Sequence, residues 1–358
     1  MPERLLPTTP ASGHVPVPPP LAGLAPDAVT GVAALSSASC RAAADAPASP
    51  SSGPSGQPRR ARRPTADGGR VSAGRGSEGA HPQVPAGSGG FFAHRRPGRP
   101  GIAVFLNAGD PPLETLPELA AMLDDSDIDC LELAVPFPDS VTDGAVIRRS
   151  ADRALSRGIT LDAVLDAVAA VRPSLRRLRI ALLADWSHTV KDRDLGDFAH
   201  AVADAGCDGL LLHGLPPRLR AAHYEAAHLA GLPLVTTCYA VSAPAVVAEA
   251  AEHASAYLYL VAHYGRSGTA AAPDHDRLAA TLTALRATTR VPVAVGFGVR
   301  TGADIAAMEE LGADAAVVGS AGVARIERAL AERRDPVREF ASFVTELRRP
   351  VVRHLTIV

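Results

Sequence analysis

The chain has 358 residues, of which 47% are hydrophobic, and its formal net charge is -2. This length and hydrophobic content are enough for a sizeable core in one large or two ordinary domains. A net charge this close to zero argues against nucleic acid as a partner, and no stretch reaches the ~18 apolar residues of a membrane span. We therefore predict a soluble, cytoplasmic protein that binds neither nucleic acid nor membrane.

The first part of the chain, residues 1–90, is rich in Pro, Gly, Ala, Ser and Arg and poor in large apolar residues. Such a segment buries too little surface to offset its ordering entropy, so we predict a disordered tail. The run RRARR (59–63) could contact nucleic acid or direct targeting, but a solvated basic tail is favoured because no aromatic residues are interleaved. The folded domain is predicted over residues 91–358.

Short apolar runs then alternate with longer amphipathic segments. Runs without strict polar alternation fit strands buried on both faces of a parallel sheet, and the intervening segments have helical spacing and often end at Gly. Eight strand and helix units over ~250 residues predict a (β/α)8 TIM barrel; a doubly wound sheet would usually show fewer units. The runs lie at 102–108, 130–136, 179–185, 209–214, 234–239, 256–262, 291–298 and 315–321.

The second run and its loop, CLELAVPFPDSVTDG (130–144), place acids in and directly after an apolar segment. A carboxylate in an apolar site costs several kcal/mol or shifts its pKa upward, so Glu132 either points to water or has a function. Glu132 and Asp143 would provide two carboxylates in different environments, one able to donate a proton while the other accepts. Taken singly, each residue has a simpler interpretation. Glu132 would be an acid paired with an arginine of the barrel, and Asp143 would be a turn residue before Gly144.

The sixth run contains Tyr257 and Tyr259, which alternate and therefore face the same side of the sheet. Without other information we interpret both as core aromatics, and the small-residue loop 265–272 is long enough to act as a lid. The sequence DWSH at 185–188 resembles part of a catalytic triad, but no GxSxG turn surrounds it.

Glycine-rich turns follow the last two predicted strands, at 296–298 and at Gly319-Ser320. In many barrels this position binds a phosphate through backbone N–H groups and the N-terminus of a short helix. The segment GVARIERAL that follows predicts such a helix. A lysine is not required for this mode of binding.

Cysteine, histidine and lysine usage limits the remaining chemistry. The cysteines at positions 40, 130, 207 and 238 lack paired spacing, and the histidines show no ligand spacing, so we predict neither a disulfide framework nor a metal site. Lys191 is the only lysine. Carbonyl chemistry would therefore proceed without an imine unless Lys191 supplies it.

Motifs along the whole barrel region resemble those of the tryptophan synthase α subunit family, (β/α)8 barrels that cleave indole-3-glycerol phosphate to indole and glyceraldehyde 3-phosphate. The most specific match is the strand-two signature, usually LELGIPFSDPxADGP. The resemblance implies a carbon–carbon lyase of tryptophan biosynthesis. The matching segments are NAGDP (107–111), LELAVPFPDSVTDG (131–144), RALSRGIT (153–160), YLYLVAHYGRSG (257–268), GFGVRTGADI (296–305) and VVGSA (317–321).

The resemblance also implies roles for individual residues and a partner. It implies catalytic roles for Glu132, Asp143 and Tyr259. It implies a heterotetramer with a β subunit, which holds pyridoxal phosphate, and no cofactor in this chain. The implied phosphate donors are Gly268, Gly298, Gly319 and Ser320, the implied indole-pocket residues are Phe105 and Phe297, and the implied partner contacts are Pro136, Asp139 and Gly265.

Several positions depart from the family pattern. Ser140 and Ala145 replace prolines, and Ala262-His263 replaces a Ser-Arg pair. Asp185-Trp186-Ser187 replaces Tyr-x-Asn after strand three, and HGLP (213–216) replaces ADVP after strand four. Two alternatives therefore stay open at this point: a stand-alone indole-3-glycerol phosphate lyase that feeds another indole pathway, and a non-catalytic barrel that acts as a binding or activating subunit.

Overall fold

The computed structural model describes residues 90–93, 99–262, 275–296 and 298–349. Within these ranges, eight parallel strands form one sheet in the order β4-β3-β2-β1-β8-β7-β6-β5. A parallel bridge between Leu210 of β4 and Leu234, directly before β5, closes the sheet into a barrel. The (β/α)8 barrel predicted from the sequence is confirmed. The tail predicted at 1–90 lies outside the described residues except for Gly90, so it stays a prediction.

The strands overlap the predicted apolar runs, and their starts differ from the predicted starts by two residues at most. Their bounds are Gly101–Asn107 (β1), Cys130–Ala134 (β2), Arg179–Asp185 (β3), Gly209–His213 (β4), Val235–Tyr239 (β5), Tyr257–Val261 (β6), Val293–Gly296 (β7) and Ala315–Val318 (β8), apart from β1 and β7, which begin one residue before and two residues after their runs.

Helices follow the strands. The sequence predicted about one helix after each strand, but two helices follow β2 and two follow β8. The helix after Gly319 is also longer than predicted, with 12 residues. The bounds are Leu116–Asp125 (α1), Ala145–Leu155 (α2), Leu161–Val171 (α3), Leu195–Asp204 (α4), Arg220–Leu229 (α5), Pro244–His253 (α6), His275–Thr288 (α7), Gly302–Glu310 (α8), Ser320–Ala331 (α9) and Pro336–Leu347 (α10).

None of the helices in the described ranges is long and apolar enough to cross a membrane. The cytoplasmic location stays a prediction.

Local sequence explains where several helices begin: the side chains of Thr160, Asp194 and Asp335 accept hydrogen bonds from the first turns of α3, α4 and α10. These bonds satisfy backbone N–H groups that have no partner within the helix.

Alternation along the strands divides the core into an outer and an inner part. In β2, Leu131 and Leu133 belong to the large apolar cluster shared with the surrounding helices. Cys130 belongs to a smaller cluster that also contains inward residues of the other strands, such as Ala103 and Val235. Because side chains alternate between the two faces of a strand, Glu132 shares the inward face with Cys130.

The amino-terminal end of the barrel is closed by Phe91 and Phe92, which form a turn before β1 and are buried. A Cβ atom added at Gly209 would lie 3.2 Å from Phe91, and one added at Gly101 would lie 2.5 Å from Phe92. Glycine at the first position of β1 and of β4 therefore makes room for the two rings. Both rings also pack against Tyr257, with centroids 5.2 and 5.3 Å away.

A network of charged side chains joins the loop after β1 to helices α2 and α9. The buried carboxylate of Asp110 accepts two hydrogen bonds from Arg153, at 2.9 and 2.6 Å. Arg153 also donates to Glu327 at 2.8 Å, and Arg149 binds Glu327 through two bonds of 2.8 Å. Bidentate arginine–carboxylate pairs are the strongest of the surface ion pairs, so this network fixes α2 against α9.

We predict that Glu327→Gln lowers the free energy of unfolding at pH 7 by about 1–2 kcal/mol, a value that allows for solvent screening. Arg149 and Arg153 lower the pKa of Glu327 from 4.5 to about 2. A carboxylate with a lowered pKa stabilises the fold above its unfolded pKa and loses this contribution as the pH falls. The difference between wild type and variant should therefore shrink between about pH 4.5 and pH 2, as urea denaturation at several pH values will measure.

The matched control is Asp125→Asn, which removes an exposed ion pair with Arg176. This change should stay within about 0.5 kcal/mol of wild type, because exposed pairs contribute little. A Glu327→Gln difference that remained constant from pH 6 to pH 3 would contradict the prediction.

Candidate active site

A pocket of about 150 Å³ opens where the strands end. The carboxyl ends of the strands are the face on which TIM-barrel enzymes carry their active sites. Its walls come from every strand of the barrel or from the loop directly after it. The residues used below are Phe105, Asn107, Glu132, Phe137, Asp143, His213, Thr237, Tyr239, Tyr259, Gly298, Gly319 and Ser320, all of which line this pocket.

Glu132 lies inside the barrel and reaches the pocket from β2. It is only 2% exposed. The hydroxyl of Tyr257 on β6 donates a hydrogen bond of 2.5 Å to its Oε1 atom. The partner of this buried acid is therefore a phenol, and the arginine considered from the sequence is not needed.

Burial sets the protonation of Glu132. It raises the pKa of the carboxyl group from 4.5 to about 7, and the hydrogen bond from Tyr257 opposes this rise. Because desolvation disfavours the charged form, a buried acid of this kind holds its proton up to neutral pH. Near pH 7 both forms are well populated, which suits a group that accepts and returns a proton.

Asp143 and Tyr259 complete the acidic side of the pocket. Burial raises the pKa of Tyr259 well above 10, and the nearby charges of Glu132 and Asp143 add to the effect. Both carboxylates are therefore within electrostatic range of the same phenol. The ring of Tyr259 passes over Gly296, where an added Cβ atom would lie 2.5 Å from its hydroxyl oxygen.

Another part of the pocket wall is formed by backbone. Gly298 has a φ of +87°, in the left-handed region that favours glycine, and nothing lies within 4 Å of where its Cβ would be. Gly319 precedes α9, which begins at Ser320. The first N–H groups of a helix have no partner within it and attract anions, so this wall can bind a phosphate.

A third wall comes from β4 and β5 and from the loop after β2. His213 ends β4, and Thr237 and Tyr239 lie on β5. The ring of Phe137 stacks on His213 with centroids 6.4 Å apart and on His188 with centroids 5.6 Å apart. These side chains were not assigned to a site from the sequence.

The residues assigned from the sequence fall into three groups. Phe105, Glu132, Asp143, Tyr259, Gly298, Gly319 and Ser320 line one pocket. Of the implied partner contacts, Asp139 is exposed with a φ of 56°, whereas Pro136 is buried within the chain and offers no surface. Phe297, Gly268 and Gly265, with the proposed lid 265–272, lie outside the described residues.

Two residues of the site, Tyr257 and His213, were not assigned to it from the sequence, although a signal for each existed. Tyr257 was interpreted only as a core aromatic; strand alternation placed it on the same side as Tyr259, but the strand order was needed to pair it with Glu132. His213 was considered only among the histidines that show no ligand spacing. Its position at the last residue of a barrel strand was the available signal.

The DWSH segment forms no triad. His188 Nδ1 lies 2.7 Å from Asp185 Oδ1, and residues Trp186–Val190 form a π-helical turn.

Among the described residues, no group of His, Cys, Asp and Glu is suited to hold a metal ion. Burial raises the pKa values of the thiols of Cys207 and Cys238 to about 12, so neither is suited to nucleophilic chemistry.

Fold and pocket together define a (β/α)8-barrel enzyme with its site at the carboxyl ends of the strands. The sequence pattern described as "Tryptophan synthase alpha chain" matches residues 91–352. The chain is 36% identical to the tryptophan synthase alpha chain of Burkholderia mallei over 263 residues, which cover 73% of this chain and 94% of that protein. The corresponding protein of Ralstonia nicotianae is 35% identical over 252 residues, covering 70% and 93%.

Solved structures agree with these relatives. The alpha subunit of tryptophan synthase from Legionella pneumophila superposes with a TM-score of 0.62 at 28% identity, covering 70% of this chain and 91% of that one. Tryptophan synthase from Mycobacterium tuberculosis gives 0.60 at 26% identity, covering 69% and 93%. The chain belongs to the tryptophan synthase alpha chain family, which comprises lyases of tryptophan biosynthesis. The family needs no cofactor, and pyridoxal phosphate resides in the β subunit.

We predict that Tyr257→Phe raises the pKa of Glu132 further, by about one unit above its value of about 7. The hydrogen bond from Tyr257 favours the charged carboxylate, so its loss favours the protonated form. The substitution keeps the ring that packs on Phe91 and Phe92. An infrared titration of the carboxyl stretch, with the Glu132→Gln spectrum subtracted, measures the shift.

Tyr224→Phe is the matched control, because this tyrosine bonds Glu249 between α5 and α6, outside the barrel. It should leave the pKa of Glu132 unchanged. An unchanged or lowered pKa in Tyr257→Phe would show that the hydrogen bond does not stabilise the charged form.

Proposed function

We propose that this chain cleaves indole-3-glycerol phosphate to indole and glyceraldehyde 3-phosphate, with Glu132 as the proton-transfer group and Asp143 as the partner of the ring N–H. The observation that carries the proposal is the buried Glu132, whose pKa is raised to about 7, in one pocket with Asp143 and the backbone wall of Gly298 and Gly319. Membership of the family supports the same reaction.

The chemistry requires a proton at ring carbon 3, a partner for the ring N–H and a base for the glycerol hydroxyl that becomes the aldehyde. Glu132 serves the carbon and the hydroxyl. When the O–H proton leaves, the carbon–carbon bond breaks, its electron pair returns to the ring and the aldehyde forms. Asp143 accepts the hydrogen bond of the ring N–H and stabilises the positive charge that develops when carbon 3 is protonated. No step needs an imine, which agrees with the single lysine, Lys191.

The phosphate is held by backbone N–H groups near Gly298 and Gly319 and at the start of α9 with Ser320. In the barrel order, β7 and β8 lie across from β3 and β4. The phosphate therefore occupies one side of the mouth while the ring extends towards the other. Phe105 lines the pocket from β1 and packs on the indole ring of the substrate.

We also propose that a tryptophan synthase β subunit binds the loop after β2. Asp139 in this loop is exposed, and Val141 beside it is 78% exposed, the highest value among the large exposed apolar residues described. Membership of the family supports this contact, because tryptophan synthase alpha chains are typically complexed with a β subunit. This contact would couple partner binding to the position of Asp143.

The activity test follows indole release from indole-3-glycerol phosphate by the purified chain, with and without a β subunit. We expect release in the mixture, and we expect Glu132→Gln to lower the turnover rate by about 10²- to 10⁴-fold, the usual contribution of a proton-transfer group. Strong release without a β subunit would support a stand-alone lyase. No release under either condition would contradict the proposed function, and near-normal turnover by Glu132→Gln would remove Glu132 from its role.

Glu132→Gln should also change how the free energy of unfolding depends on pH. A group with a raised folded pKa favours folding below its unfolded pKa and loses that contribution as the pH rises through the folded value. Wild type should therefore lose stability between about pH 4.5 and pH 7, by up to about 3 kcal/mol, while Glu132→Gln does not. Equal pH dependence of the two proteins in urea denaturation would contradict the raised pKa.

For the phosphate wall, we predict that Ser320→Asp separates binding from stability. An acid in the first turn stabilises a helix by about 0.3–1 kcal/mol, so the melting temperature should stay equal or rise. The same charge repels a phosphate, so KM should increase by at least about tenfold. The control is Ser320→Asn, because asparagine has the shape of aspartate but no charge. An unchanged KM in Ser320→Asp would place the phosphate elsewhere.

A further inference from the structure

Two hydrogen-bonding side chains line the pocket on the side across from the glycine wall. His213 ends β4 and Thr237 lies on β5, and both border the pocket. In the closed barrel, β4 is four strands away from β8, whose end carries Gly319. A ligand with its phosphate at Gly319 therefore presents its far end to His213 and Thr237.

Within the residues that the structure describes, no hydrogen bond joins the His213 ring or the Thr237 hydroxyl to another group. The neighbouring Thr236 behaves differently, because its hydroxyl points out of the barrel and donates to the Ala250 carbonyl at 2.6 Å. Adjacent threonines on one strand thus differ in one respect: the outward hydroxyl has a partner and the inward one faces the pocket.

The orientation of His213 is fixed by stacking. Phe137 lies between the imidazoles of His213 and His188, with interplanar angles of 25° and 22°. His188 is held in turn by Asp185, through its ring at 2.7 Å and its backbone N–H at 3.0 Å. His213 lines the pocket, and its stacking on Phe137 restricts the ring before a ligand binds, which favours selective recognition.

Resting on the proposed function, we infer that this pocket selects an indole-3-glycerol phosphate that carries a hydrogen-bonding substituent, such as a hydroxyl, on the benzo part of the ring. The substituent binds to Thr237 and His213. An unsubstituted ring would displace water from these two groups and leave them without partners, which disfavours its binding. Sites built to bind a hydroxyl discriminate strongly against the analogue that lacks it.

The experiment compares three synthetic substrates: indole-3-glycerol phosphate and its 5- or 6-substituted hydroxy and methyl derivatives. Hydroxyl and methyl groups are similar in size, so their comparison isolates the hydrogen bond. We expect kcat/KM to be about tenfold higher for a hydroxy derivative than for the methyl derivative at the same position, the effect of one hydrogen bond of ordinary strength. The non-cleavable propanol phosphates of the same rings are titrated by calorimetry in parallel.

Thr237→Val and His213→Leu test the assignment. Each should reduce the hydroxy-to-methyl ratio towards one, in kcat/KM and in the calorimetric Kd. Thr236→Val is the matched control, because it makes the same change on the outward face of the same strand. The ratio in Thr236→Val should equal that of wild type, and melting temperatures identify any variant that is unfolded.

The outcomes separate this inference from the proposed function. Cleavage of all three substrates with a hydroxy-to-methyl ratio near one would overturn the inference and leave the lyase function intact. No cleavage of any substrate would contradict the lyase function, and the calorimetric ratio would then decide the inference. A ratio of about ten that survives both Thr237→Val and His213→Leu would also overturn it, because the selectivity would come from other residues.

Discussion

The hydrogen bond between Tyr257 and Glu132 is the interaction on which the chemistry of the pocket depends. A carboxylate that is 2% exposed is unstable as an anion unless a donor meets it, and Tyr257 provides that donor at 2.5 Å. Tyr257 is held from below by Phe91 and Phe92, which close the barrel. The turn before β1 therefore supports the acid at the pocket, through one ring and one hydrogen bond.

A second constraint fixes the distance between the acidic side of the pocket and the backbone wall. Asp143 directly precedes the glycine that caps α2, and Ser320 begins α9. Arg153 of α2 binds Glu327 of α9 and also Asp110 in the loop after β1, so the two helices are held as a unit. A substrate that joins a proton-transfer site to a phosphate requires such a fixed separation, because misplacement of reacting groups lowers the rate.

The sequence predicted most of the barrel because buried parallel strands are continuous apolar runs, and all eight strands overlap the predicted runs. It also identified Glu132, because an acid in such a run violates the pattern. It could not identify Tyr257 as the partner, since residues 125 positions apart pair only through the strand order. His213 and Thr237 were missed for a related reason: each is unremarkable in its own strand, and they form one wall only once the barrel closes.

Two of the segments that depart from the family pattern lie at one side of this pocket. Asp185 and the segment HGLP (213–216) end β3 and β4, and they supply His213 and the anchor of His188. Glu132, Asp143 and Gly319 themselves match the family pattern, although Ser140 and Ala145 near Asp143 replace prolines. The reacting carbon, the hydroxyl and the phosphate constrain one part of the pocket, whereas the far edge of the ring takes no part in bond breaking. A change in substrate would therefore be accommodated at the ends of β3 to β5, where His213 and Thr237 line the pocket.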